Sequence, residues 1–186
     1  MTTLEFQRRQ PCGRFGLKGP RAAEWLASHG IVVPAAPNTW AYSPAAGNAA
    51  QAAYEALFVA RLGTGEFFLE DSAGGTALRG IEPAAETHPW GVYPVLREDA
   101  AYSLSGEGSC EVLAQVCNVN FGDLELDAHP IIMTLMIGVS VLVAPQTLAA
   151  ECRYRIWCDP TFAPYLEESV MTVVRDCGGN YGGASE

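Results

Sequence analysis

Apolar and polar positions along this chain alternate with two periods. Phe15-Gly16-Leu17 reads as a short strand, and Gly19-Pro20 opens a helix that runs to residue 28 and closes at His29-Gly30. Proline in the first turn and glycine just past the end is the expected asymmetry of a helix. Residues 57–62 and 66–70 read as a hairpin around Gly63-Thr64-Gly65. Residues 92–96 and 102–104 are strands by the same criterion. Residues 106–117 are helical, with Cys110, Leu113, Ala114 and Cys117 spaced to share one face. The β-branched run at residues 131–144 is broken by Gly138 and predicts two central strands with a bend there. Residues 153–157 form another strand. Asp159-Pro160 then starts the last helix, with aspartate as cap. Phe162, Leu166, Val170, Val173 and Cys177 are spaced along one face of it, and Gly178-Gly179 ends it. Residues 34–53, rich in alanine and proline, read as a surface excursion. Residues 71–91 read as a connection, and residues 1–11 and 181–186 as tails.

The chain repeats itself. Phe15, Leu17, Gly19, Glu24 and Leu26 are matched 87 positions later by Tyr102, Leu104, Gly106, Glu111 and Leu113. At the same offset, Glu66-Phe67-Phe68-Leu69 falls on Arg153-Tyr154-Arg155-Ile156. An α+β fold follows: two related strand-helix-strand-strand units, residues 12–90 and 91–180, packed as one body.

Composition narrows the function. The chain has 186 residues, 49% hydrophobic and 17% charged. The charged share is below the usual figure of about 25%, which suggests apolar surface covered by a partner. Eleven basic residues face 21 acidic ones, for a net charge of −10, and Lys18 is the sole lysine. That balance excludes a nucleic-acid binder and disfavours an anionic membrane surface. The apolar run at 131–144 is too short for a bilayer span of about 20 residues. Six cysteines (Cys12, Cys110, Cys117, Cys152, Cys158, Cys177) form no CxxC pair. The polar start of the chain has no signal-peptide pattern, so a cytoplasmic protein with buried thiols is expected.

Few residues suggest chemistry. Asp123, Glu125, Asp127 and His129 alternate and would share a face on a strand, but they fail as a calcium loop: Ala128 takes the glycine position and Thr134 the glutamate position. An exposed acidic segment is the expected reading. Residues 138–142 lack the closing glycine of a nucleophile elbow, and no dinucleotide or phosphate loop is present. His29 is placed for a helix-end contact. The richest string is Arg153-Tyr154-Arg155-Ile156-Trp157-Cys158-Asp159-Pro160. Strand alternation sends Tyr154, Ile156 and Cys158 to one face, and Arg153, Arg155 and Trp157 to the other. Two arginines beside a tryptophan anchor a protein interface or a structural ion pair, or clamp a carboxylate or flat ring. Arg153, Tyr154, Arg155, Trp157 and Asp159 are the candidate ligand or interface residues, with no catalytic residue and no metal ligand assigned.

These pieces together resemble a family. They are Phe15-Gly16-Leu17-Lys18-Gly19-Pro20-Arg21-Ala22, Pro37-Asn38, Leu62-Gly63 with Glu66-Phe67-Phe68-Leu69, Arg97-Glu98-Asp99-Ala100 with Leu104-Ser105-Gly106, and Tyr154 to Pro160. In order and spacing they resemble the gamma (small) subunit of heterotetrameric sarcosine oxidase, over roughly residues 13–180. The repeat also resembles the folate-binding fold of glycine-cleavage T-protein (aminomethyltransferase). The resemblance implies a four-subunit amine oxidoreductase acting on N-methyl amino acids. FAD, FMN and NAD would lie in the other subunits, and tetrahydrofolate would capture the one-carbon unit. It implies a non-catalytic role for this chain, packed against a large subunit or self-associated when isolated. No aspartate here matches the T-protein catalytic one. A stand-alone folate-binding or aminomethyltransferase-like protein is the alternative, with folate lodged near Arg153, Arg155 and Trp157.

Overall fold

The computed structural model describes residues 3–44, 57–72, 75–87, 89–148 and 151–182. It is an α+β fold with two sheets and four α-helices among the described residues. The chain forms two compact units. One comprises Pro11–Arg97, the other Met1–Gln10 with Glu98–Glu186.

The Pro11–Arg97 unit contains strands β2 (Arg14–Lys18), β3 (Thr39–Ser43), β4 (Leu57–Gly63), β5 (Glu66–Glu70) and β6 (Tyr93–Leu96), and helices α1 (Ala22–Ser28) and α2 (Leu78–Glu86). Its antiparallel sheet has the order β3-β4-β5-β2-β6. One face alternates apolar residues toward the helices: Phe15, Leu17, Leu57, Val59, Phe67 and Leu69 pack with Ala22 and Leu26 of α1 and Leu78, Ile81 and Ala85 of α2. The other unit contains β1 (Glu5–Arg8), β7 (Ala100–Ser105), β8 (Ile132–Met136), β9 (Val139–Leu148), β10 (Glu151–Cys158) and β11 (Asn180–Gly182), with α3 (Ser109–Val116) and α4 (Ala163–Asp176). Its sheet runs β11-β1-β7-β10-β9-β8. Tyr102, Leu104, Tyr154, Ile156 and Val143 pack there against Val112 and Leu113 of α3 and Leu166, Val170 and Val174 of α4.

The repeat seen in the sequence is reproduced in strand register. Leu17 stands opposite Phe67 and Phe15 opposite Leu69. Leu104 stands opposite Tyr154 and Tyr102 opposite Ile156. The flanking strands, however, are exchanged. β1 precedes β2 in sequence, as β6 precedes β7, yet β1 pairs with β7 and β6 pairs with β2. Each sheet is thus completed by the strand that leads into the other repeat. This moves the boundaries from those expected: residues 5–8 are a sheet strand rather than part of a tail, residues 180–182 pair in parallel with β1, and residues 91–97 belong with the first unit. Leu4 and Phe6 are buried in the second core, so this segment contributes to that core's packing.

Other expectations shift locally. The stretch expected as a surface excursion contains β3, with its 45–53 part outside the described residues. The expected connection contains α2, which tolerates Pro83 in its interior. Asp71 accepts hydrogen bonds from the amides of Ala77 and Leu78, each at 3.2 Å, and so fixes the start of that helix. α3 buries Val112, Leu113 and Val116, whereas Cys110 and Ala114 are exposed. α4 buries Ala163, Leu166, Val170, Met171 and Val174, and leaves Phe162 exposed. Residues 131–144 do form two strands, turning at Ile137 and Gly138, both with positive φ. β8 lies at the sheet edge rather than the centre, which is why Met133 and Leu135 remain exposed.

Candidate functional site

The string singled out in the sequence occupies β10 and the turn that follows. Alternation places its residues as expected. Tyr154, Ile156 and Cys158 enter the helix-side core, and Arg155 and Trp157 occupy the opposite face. On that face Arg155 stands opposite Ser103 and Ala144, and Trp157 opposite Ala101 and Leu142. The Arg155 guanidinium sits 4.8 Å from the centroid of the Trp157 ring. Both side chains are buried, at 5% and 1% exposure. A planar cation over an indole is an electrostatic contact that strengthens when water is excluded. The guanidinium covers one face of the indole ring.

The remaining candidates lie apart from this pair. Arg153 is exposed near the start of β10. Asp159 accepts from the Thr161 amide at 2.8 Å and from its hydroxyl at 2.6 Å, and so caps the turn before α4. These bonds hold its carboxyl below the ordinary range. Tyr154 is buried, and its hydroxyl is 3.1 Å from the sulfur of exposed Cys110. Burial first, and the Cys110 contact second, hold this phenol well above its ordinary pKa.

The acidic segment is not a strand. It forms two 3₁₀ turns, Phe121–Asp123 and Leu126–Ala128, which break the shared face that alternation required. Among the described residues no group of three or more histidine, cysteine or carboxylate side chains could hold a metal ion. His29 bonds the Trp25 carbonyl through Nδ1 at 2.9 Å, a helix-end contact as expected.

A groove that sequence reading missed lies on the second unit. Arg8, Pro164, Glu167, Glu168, Met171, Arg175 and Tyr181 line about 490 Å³. Glu167 accepts hydrogen bonds from the hydroxyls of Tyr102 at 3.2 Å and Tyr181 at 2.9 Å, with the Arg8 guanidinium at 3.8 Å. Burial chiefly, and the Glu167 charge next, push the Tyr102 hydroxyl far above its ordinary value. Glu167 therefore ties α4 to β1, β7 and β11. Its partners come from remote parts of the chain, so no local motif announces them.

No family model matches the sequence, and no curated protein matches it. Solved structures do match in fold. The chain is similar to the glycine cleavage system aminomethyltransferase T from Bartonella henselae, with a TM-score of 0.72 and 16% identity over 97% of this chain and 48% of that one. It is similar also to heterotetrameric sarcosine oxidase from Corynebacterium sp. U-96 in complex with pyrrole 2-carboxylate, with a TM-score of 0.68 and 19% identity over 94% of this chain and 85% of the matched chain. The chain thus spans about half the length of the aminomethyltransferase and most of the matched oxidase chain. At these identities the likeness is one of fold, and the fold is T-protein-like. No helix among the described residues is long and apolar enough to cross a membrane.

Proposed function

We propose that this chain is the small, gamma-type, non-catalytic subunit of a cytoplasmic heterotetrameric flavoprotein related to sarcosine oxidase. The complex oxidises N-methyl amino acids and passes the one-carbon unit to tetrahydrofolate. Its FAD, FMN and NAD belong to the other subunits. The observation that carries this reading is the near-reciprocal match to the oxidase chain, against the half-length match to the aminomethyltransferase.

The surface supports it. Both sheets end in edge strands with exposed apolar side chains. Leu96 and Tyr93 of β6 are 81% and 56% exposed, and Trp90 before them 79%. Met133 and Leu135 of β8 are each more than half exposed. A large partner subunit would cover such strips. The buried Arg155–Trp157 pair fits a packing role within the subunit better than a ligand clamp.

Two variants test the reading. Leu96→Asp and Met133→Asp change exposed side chains, so each is expected to leave the chain folded, and at least one to release it from its partners. Retention of every partner by both variants contradicts the proposed surface. A calorimetric titration of the isolated chain with tetrahydrofolate is expected to show no saturable heat. Saturable binding would instead favour a stand-alone folate-binding protein.

A further inference from the structure

We propose that the groove between α4 and the β1–β11 edge binds a short ω-amino carboxylate, a ligand with an ammonium at one end of a methylene chain and a carboxylate at the other. Glu168, Met171 and Arg175 line the groove from α4. Their spacing of three and then four positions sets them in one stripe along the helix. At 1.5 Å of rise per residue, the Cα atoms of Glu168 and Arg175 lie about 10 Å apart along the axis. Both residues are exposed. Among the described residues, neither the Glu168 carboxylate nor the Arg175 guanidinium has an ion-pair or hydrogen-bond partner. Met171, 4% exposed, is the apolar floor between them.

The groove's other two charges offset each other. Glu167 faces the Arg8 guanidinium at 3.8 Å and accepts from the hydroxyls of Tyr102 and Tyr181. That leaves Glu168 as the free anion and Arg175 as the free cation. A ligand with a single charge would match one of them and crowd the other, which costs affinity. A simple anion would also be repelled by the chain's net charge of −10. An ω-amino carboxylate is neutral overall and suits both ends. Its carboxylate meets the Arg175 guanidinium, which can grip it through two N–H groups, and its ammonium meets Glu168. Its methylenes lie over Met171 and beside the exposed Tyr181 ring.

The volume of about 490 Å³ suits a small molecule. The groove lies at the β11 end of its sheet, whereas the exposed β8 strip proposed to meet a partner lies at the other end. Ligand binding and partner docking can therefore be tested separately.

Titration of the full chain with 6-aminohexanoate, followed by ligand-observed NMR, tests this. Saturable binding in the millimolar range is expected. Hexanoate and hexylamine, each lacking one charge, should bind at least about tenfold more weakly. Glycine, too short to span the two charges, should be equally weak. Glu168→Gln and Arg175→Gln alter exposed side chains, so each should keep the unfolding midpoint and lower 6-aminohexanoate binding to the level of the singly charged compounds. Exchanging the charges, Glu168→Arg with Arg175→Glu, should restore binding with the ligand reversed. Absence of saturable binding by 6-aminohexanoate would overturn the proposal. So would equal binding of hexanoate or hexylamine, or binding that both glutamine variants retain in full.

Discussion

Gly106 places its Cα against the backbone carbonyl of Thr3, so closely that a Cβ at residue 106 would collide with that oxygen. The same relationship recurs in the other repeat, where a Cβ on Gly19 would collide with the Gly91 carbonyl. Both glycines have positive φ, at 94° and 130°. Each stands where a central strand turns into its helix, and each is pressed by the segment leading into the exchanged strand. Glycine here serves two needs at once: a left-handed backbone and space for a foreign strand.

Gly106→Ala is therefore expected to cost about 2–4 kcal/mol, more than the strain of a positive φ alone. Gly30 also has positive φ but has nothing near its Cβ position, so Gly30→Ala should cost only about 1 kcal/mol. Urea unfolding of both variants checks the difference. Equal midpoints would mean that the close approach to Thr3 contributes nothing.

A buried ion pair joins β2 to β5. Arg14 Nε donates to Glu70 Oε2 at 2.6 Å, with side-chain exposures of 7% and 0%. Removing one partner takes this bond from a buried charge, so Glu70→Gln should cost about 3–5 kcal/mol. Replacing both by apolar residues of similar volume should cost much less than the sum of the two single changes. A double-mutant cycle read by chemical denaturation decides this.

The Arg155–Trp157 stack should matter to stability rather than to ligand binding. Arg155→Met keeps the apolar stem but removes the cation, and should cost about 1–2 kcal/mol for a desolvated contact. Arg155→Lys should recover only part, because an ammonium lacks the planar face. Unchanged stability in both variants would remove the stack as a packing element.

Alkaline pH should loosen the second core. Burial pushes the Cys158 thiol up from 9.0 to about 11, and it pushes Tyr102 and Tyr154 upward too. A folded-state pKa above the unfolded value means that the native state binds the proton more tightly. The resulting stabilisation is fully present below about pH 9 and is lost as pH rises through the folded value. For Cys158 this amounts to about 2 kcal/mol between pH 9 and 11. Cys158→Ala should flatten that part of the stability–pH profile, and an unchanged slope would contradict it.

Local features of the fold were legible in the sequence because they depend on local rules. Gly63-Thr64-Gly65 marked a hairpin, Gly178 a helix end, and the spacing of Leu17 and Leu104 marked the repeat. β3 and α2 were hidden, because Pro34, Pro37 and Pro83 read as breakers where Trp40, Phe58, Leu78 and Ile81 supply burial that overrides propensity. The exchange of β1 and β6 left no local trace, since their partners lie far along the chain. The helix faces slipped by a residue because Cys110 and Ala114 are neutral enough to sit on either side. At the candidate site, alternation put Arg155 and Trp157 on one face of β10. It could not show the guanidinium lying over the ring, nor Glu167 gathering Tyr102, Tyr181 and Arg8.

The most direct measurement is affinity capture of the tagged full chain from its source cells, with a visible absorption spectrum taken before and after adding sarcosine. The account predicts larger polypeptides in the eluate, a flavin spectrum, and bleaching of the flavin band by sarcosine or a related N-methyl amino acid. A colourless eluate containing this chain alone would contradict it.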